Sequence, residues 1–272
     1  MIDLLRLSRS KGFSSADKHL YRAIAKATEL AEGQSLLDVP CGRGAVAEFL
    51  ARNYKAEVIG VDPDAEAIVH AEQQAREAEL SSRLHFQNAP ADDLPYQDEV
   101  FDVVIGELGL ASSVDPFRAV AELARVTRPL GSVVLIGLIW TGHVDDDQRR
   151  ILIQHLGAPP LMLVEWKQAL READVVALQV EDWSDQAFPF LVRGRTFTQL
   201  AELFTLVDKL SILQRAWRRW GWRGLKGAVS REYEIRQLLG PERTIGVTLI
   251  KGTKWNGGED DPLSGDVATS ET

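Results

Sequence analysis

Short β-branched apolar runs alternate along the chain with stretches whose apolar residues recur at helical spacing. Ser14 and Ser15 can cap a helix beginning near Asp17, with Leu20, Ile24 and Ala27 on one face. The strands predicted next are Ser35 to Val39, Glu57 to Val61, Leu84 to Gln87, Phe101 to Ile105 and Ser132 to Leu138. Between them the pattern predicts helices from Ala45 to Arg52, from Ala65 to Leu80 with Ile68, Ala71, Ala75 and Ala78 buried, and from Pro116 to Thr127. Pro129 and Gly131 end the last of these. Strands that each lead into a helix make a parallel sheet covered on both faces, and the run Val133 to Ile139 reads as its central strand.

Beyond this point the alternation changes. Pro159 to Ala173 reads as a helix and Val175 to Trp183 as a strand. About sixty residues then intervene before a strand from Thr244 to Ile250. The expectation is that the two late strands pair in the main sheet. Residues 184–242, rich in Phe and Trp, then form a helical cap over it. The domain reading is a helical lid over 1–33, an α/β core over 34–183, the cap over 184–242, a last core strand over 243–254 and a disordered acidic tail over 255–272.

Composition narrows the function. The 272 residues are 45% hydrophobic and 26% charged, as expected of a globular chain. The net charge of −9 argues against whole-surface affinity for nucleic acid or anionic membrane. Five of the acids (Glu259, Asp260, Asp261, Asp266, Glu271) lie in the tail. A single Cys excludes an intramolecular disulfide and a multi-Cys metal site, and no metal is expected. No apolar run reaches the ~18–20 residues that span a bilayer. The expectation is a cytoplasmic protein with a small-molecule partner, no nucleic acid and no stable membrane association. The oligomeric state is left open.

The strongest local signal is Leu36-Leu37-Asp38-Val39-Pro40-Cys41-Gly42-Arg43-Gly44. An apolar strand ends in an acid, and a turn with two glycines opens a helix. Gly42 and Gly44 allow close approach of a ligand, and the helix start offers free N–H groups. A second acid, Asp62, ends the next strand, where a carboxylate can accept from both hydroxyls of a ribose. Two acids at neighbouring strand ends suit a ligand with a cationic part and a ribose.

With these residues the sequence resembles the class I S-adenosylmethionine-dependent methyltransferases over about residues 15–140. Asp38 to Gly44 is similar to the family's first motif and Asp62 to its ribose-binding acid. Asp92-Asp93-Leu94-Pro95-Tyr96, Val100 to Val104 and Arg128 to Ser132 resemble its later strand regions. The resemblance implies a doubly wound, mostly parallel seven-stranded α/β sheet with helices on both faces, bound S-adenosylmethionine, and methyl transfer to a small, apolar or aromatic acceptor held by the helical insertion. It implies cofactor contacts at Asp38, Pro40, Gly42, Gly44, Asp62, Pro63, Ala89, Ala91 and Glu107. Two positions depart from the family pattern: Pro40 stands where its first turn glycine usually is, and Pro90 where an adenine-binding acid usually is.

For chemistry, Glu107 follows an apolar strand into the expected cleft, where a carboxylate favours a positive sulfur. His143 lies in the loop after the fifth strand and can take a proton from a hydroxyl acceptor. Tyr21 can close over the cofactor from the first helix. The basic aromatic stretch Arg215 to Lys226 can hold an anionic acceptor, touch a membrane, stack on bases, or form a cap helix with its Trp packed inward. Two other functions fit less of the chain. The Gly42 to Ala47 pattern also satisfies a dinucleotide fingerprint, and Pro40 and Pro90 are compatible with a non-catalytic member that keeps the fold for binding.

Overall fold

In the computed structural model, residues 18–141, 146, 149–150, 153, 159–183, 213–214, 216–227, 245–255 and 257 are described. The elements in order are α1 (Lys18–Ala27), β1 (Ser35–Val39), α2 (Ala45–Tyr54), β2 (Glu57–Asp62), α3 (Ala65–Glu77), β3 (Leu84–Asn88), β4 (Phe101–Gly106), α4 (Pro116–Val126), β5 (Thr127–Trp140), α5 (Leu163–Glu172), β6 (Val175–Asp182) and β7 (Ile245–Lys254). A 3₁₀ turn, Leu108–Ser112, follows β4.

The seven strands form one sheet in the order β3-β2-β1-β4-β5-β7-β6. The first five run parallel, and β7 lies antiparallel to both β5 and β6. The expected pairing across the insertion is therefore present. Strand order reverses between β1 and β4, and in such sheets the ligand crevice opens beyond the carboxyl ends at that point.

Side-chain alternation along the strands feeds two cores. Leu36, Val58, Ile105 and Val134 pack on one face with Ile24 of α1 and Leu50 of α2. Leu37, Val61, Val104 and Val133 pack on the other with Leu123 of α4 and Leu170 of α5. Tyr21 is buried and tilts onto the ring of Phe49, 5.3 Å between centroids, so α1 is anchored to α2 by core packing. Asp64 caps α3 by accepting from the Glu66 amide, and Asp115 caps α4 from the amides of Phe117 and Arg118.

Some boundaries differ from the periodicity. α3 ends at Glu77, so Ala78 is a half-buried cap residue, and Ala67 takes its place in the buried set. β5 is twice the predicted length because it starts at Thr127, opposite Phe101 of β4, and follows its partner β7 to Trp140. Its register with β4 skips from Thr127 to Ser132, which bulges Arg128 to Gly131 outward and puts Leu130 at φ 65°. Among the described residues no helix is long and apolar enough to cross a membrane. The first seventeen residues of the expected 1–33 lid, most of the expected 184–242 cap and nearly all of the expected 255–272 tail lie outside the described residues.

The candidate functional site

β1 and β4 are adjacent, with Asp38 beside Ile105 and Val39 beside Gly106. The Glu107 amide donates to the Val39 carbonyl at 2.7 Å, which continues the pairing one residue past β4. Asp38 and Glu107 thus meet at the reversal of strand order. Asp38 is 0% exposed, and neither of its carboxylate oxygens has a hydrogen-bond partner. One oxygen of Glu107 is likewise buried without a partner. Each carboxyl is the other's near neighbour, and two carboxyls can bond only when one holds a proton.

Burial drives both titrations up, to about 7 for Asp38. Glu107 is held well above the ordinary carboxylate range by burial and then by the negative charge of Asp38. Protonated Glu107 and the nearby Ala47 amide of α2 pull Asp38 the other way but do not cancel its burial. A buried carboxyl pair with free lone pairs calls for a cation.

Asp62 lies on the next strand, 7% exposed. Its Oδ2 accepts from the Gly42 amide and its Oδ1 from the Asp64 amide, both at 2.8 Å. Burial raises its pKa, and these two amides oppose the rise. Each oxygen keeps a second lone-pair direction, so the group can still accept from two ligand hydroxyls while the turn holds it still.

The two glycines have different jobs. A Cβ on Gly42, φ +53°, would meet nothing within 4 Å. A Cβ on Gly44, φ +79°, would sit 2.6 Å from the Phe86 ring. Gly42 therefore leaves open space beside Asp62, whereas Gly44 lets the start of α2 pack on β3. Pro40 packs its ring on Gly109, where a Cβ would lie 2.6 Å from the proline Cγ, tying the β1 turn to the 3₁₀ turn after β4. Cys41 is buried among Asp38, Asp62 and Glu107, and burial followed by their charges pushes its thiol far up, so it is no nucleophile.

Beyond Asp62, Pro63 is exposed, Ala89 half-buried and Ala91 buried. Asn88, at the end of β3, donates to the Asp62 carbonyl at 2.8 Å, and the Ala89 amide to the same oxygen at 3.3 Å. Pro90 is exposed and has no carboxylate to offer. His143 lies outside the described residues.

A family model described as a methyltransferase domain matches residues 37–135, the span from β1 into β5 that carries these groups. The ubiquinone biosynthesis O-methyltransferase of Alkalilimnicola ehrlichii is 30% identical over 190 residues, 66% of this chain and 71% of that protein. The chain belongs to the class I S-adenosylmethionine-dependent methyltransferase family. The O-methyltransferase cnsE of Penicillium expansum is 29% identical over 171 residues, and the match spans 62% of each protein. The crystal structure of the [4+2]-cyclase SpnF shares the methyltransferase fold at a TM-score of 0.67 and 24% identity, over 87% of this chain and 80% of that one.

Within this methyltransferase fold, one set of family-like residues serves architecture. Asp102 accepts from the Ser35 amide and hydroxyl at 2.8 Å and from Arg128 at 2.7 Å. It ties the starts of β1, β4 and β5 at the sheet edge opposite the crevice. Arg125 similarly binds Glu122, Asp98 and the carbonyls of Leu94 and Tyr96, which fixes the loop between β3 and β4. The sequence motifs included Asp102, Arg128, Leu94 and Tyr96 without separating site from scaffold, and did not include Arg125, Glu122 or Asp98.

Proposed function

We propose that the protein transfers a methyl group from S-adenosylmethionine to a small, apolar or aromatic acceptor. The observation that carries this reading is the Asp38 carboxylate, wholly buried with both oxygens unpartnered at the reversal point of the sheet. The donor set fits the cofactor: an acidic pair for an ammonium or sulfonium, an oriented carboxylate at Asp62 for a ribose, and open space at Gly42. When bound, S-adenosylmethionine supplies a methyl group on a positively charged sulfur, open to in-line displacement by an acceptor.

The chain's own part is to bind and orient. Asp38 and Glu107 would seat the cation and release a proton as it enters. Asp62, held by the Gly42 and Asp64 amides, would take the ribose hydroxyls, with Pro40, Pro63, Ala89 and Ala91 lining the remaining contacts. His143 would serve as base for an acceptor that must lose a proton. The aromatic residues between 184 and 242 favour an apolar acceptor. The relative named a ubiquinone biosynthesis O-methyltransferase supports a small-molecule acceptor by its name. The reading includes a cytoplasmic enzyme that does not act on nucleic acid.

The fold is compatible with other chemistry, as the SpnF cyclase illustrates. Calorimetry and thermal unfolding decide the matter. At about 100 times its Kd the cofactor should stabilise the protein by about 2.7 kcal/mol, and D38N should remove most of that gain. Absence of any stabilisation at millimolar S-adenosylmethionine or S-adenosylhomocysteine would sink the reading.

A further inference from the structure

The helical segment over residues 216–227 is unlike the rest of the surface. Ala216 is fully buried, but Trp217, Trp220 and Trp222 are 49%, 42% and 72% exposed. This overturns the inward-packed alternative for these indoles. Gly221, at φ +59°, turns the chain back on itself, and a Cβ on Gly224 would sit 2.3 Å from the Ala216 carbonyl oxygen. The reversal brings Trp217 and Trp222 edge to face at 5.5 Å and leaves Arg219 stacked over Trp220 at 5.1 Å. Arg218, Arg219, Arg223 and Lys226 are exposed around them.

Charge is segregated here. From Lys209 to Arg231 the sequence holds seven Lys and Arg and no Asp or Glu, in a chain of net charge −9. Two exposed indoles brought together by a turn, a third stacked under a guanidinium group, and three further exposed cations in the same segment match the headgroup layer of a bilayer. Indole rings settle at the apolar boundary there, and cations meet lipid phosphates.

β7 begins opposite Trp140, and Asp182 at the end of β6 pairs with Thr248. The insertion therefore leaves and re-enters the sheet at the edge that carries Asp38 and Glu107.

We propose that the 216–227 segment is a reversible docking surface for an anionic lipid bilayer. This surface does not depend on methyl transfer. Reversible docking through four exposed cations and three indoles also differs from stable anchoring, which takes a spanning helix or two lipid anchors.

The test is sedimentation of the full chain with phosphatidylcholine vesicles, with and without phosphatidylglycerol, at low and high salt. The expected result is binding only to the anionic vesicles, weakened by salt, with a blue shift of Trp emission. R218A/R219A/R223A should weaken binding about a hundred-fold, at about five-fold per cation. W217A/W222A should lose the emission shift. Circular dichroism and thermal melting should stay unchanged, because these side chains are exposed. Should a variant fail to fold, quenching of the wild-type indoles by brominated phosphatidylglycerol decides in its place: quenching supports docking, and its absence overturns it. Equal binding to neutral vesicles, full binding by a folded triple variant, or displacement from vesicles by an equimolar single-stranded oligonucleotide would each overturn the proposal.

Discussion

The amide of Gly42 donates to Asp62 Oδ2 at 2.8 Å, so the turn after β1 positions the acid at the end of β2. The bond explains how one short loop serves two parts of a ligand. Its glycine leaves room on one side, and its N–H holds a carboxylate on the other.

D62A removes both the acceptor for the Gly42 and Asp64 amides and the ribose contact. The expected outcome is a loss of about 1–3 kcal/mol in stability from amides left without a partner. A fall of at least about ten-fold in affinity for S-adenosylhomocysteine should accompany it, since about 1.4 kcal/mol of lost contact is tenfold. Calorimetry beside urea unfolding separates the two, and unchanged affinity would remove Asp62 from the site.

The acidic pair makes stability depend on pH in a definite direction. The folded protein keeps on Asp38 and Glu107 protons that the unfolded chain releases near pH 4. Stability should therefore fall as pH rises from about 4 toward 7, by up to about 1.4 kcal/mol per pH unit for each proton retained. D38N should flatten that slope in urea unfolding measured across the range. Cofactor affinity should rise over the same interval, with proton release detectable by calorimetry in buffers of different ionisation enthalpy. A pH-independent affinity would show that the pair is not the cation's seat.

Gly44 and Gly42 should respond differently to alanine. G44A places a methyl 2.6 Å from the Phe86 ring at φ +79° and should cost about 1–3 kcal/mol of stability. G42A adds only backbone strain of about 1–2 kcal/mol, because its methyl points into open space. It should, however, reduce cofactor affinity by filling that space. Melting curves with and without S-adenosylhomocysteine distinguish the two variants.

Asp102 tests scaffold against site. Burial pushes its carboxyl up, but the Ser35 amide and hydroxyl and the Arg128 guanidinium outweigh this and hold it below the ordinary range. Its stabilisation is therefore present above about pH 4 and lost as pH falls through its lowered folded value. D102A should destabilise by about 1–3 kcal/mol, the usual worth of hydrogen bonds to a charged group, with cofactor affinity unchanged. A selective loss of affinity instead would place Asp102 in the site.

What the sequence determined by itself was local and periodic. Apolar runs and helical spacing marked nearly every described element, because burial on one face is written into residues close together in the chain. The Asp38 to Gly44 stretch identified the ligand end of β1 for the same reason: acid, turn and helix start are contiguous. The tertiary structure decided what depends on contacts between distant segments. Glu107 becomes the partner of Asp38 only because β4 lies beside β1. Gly44 serves Phe86 rather than open space only because β3 lies beside β2 and under α2. Asp102 becomes a clamp through Ser35 and Arg128, and the Trp217–Trp222 pair faces outward through the reversal at Gly221. Sequence periodicity records whether a residue is buried, while hydrogen-bond and charge partners are set by the packing of strands and turns far apart in the chain.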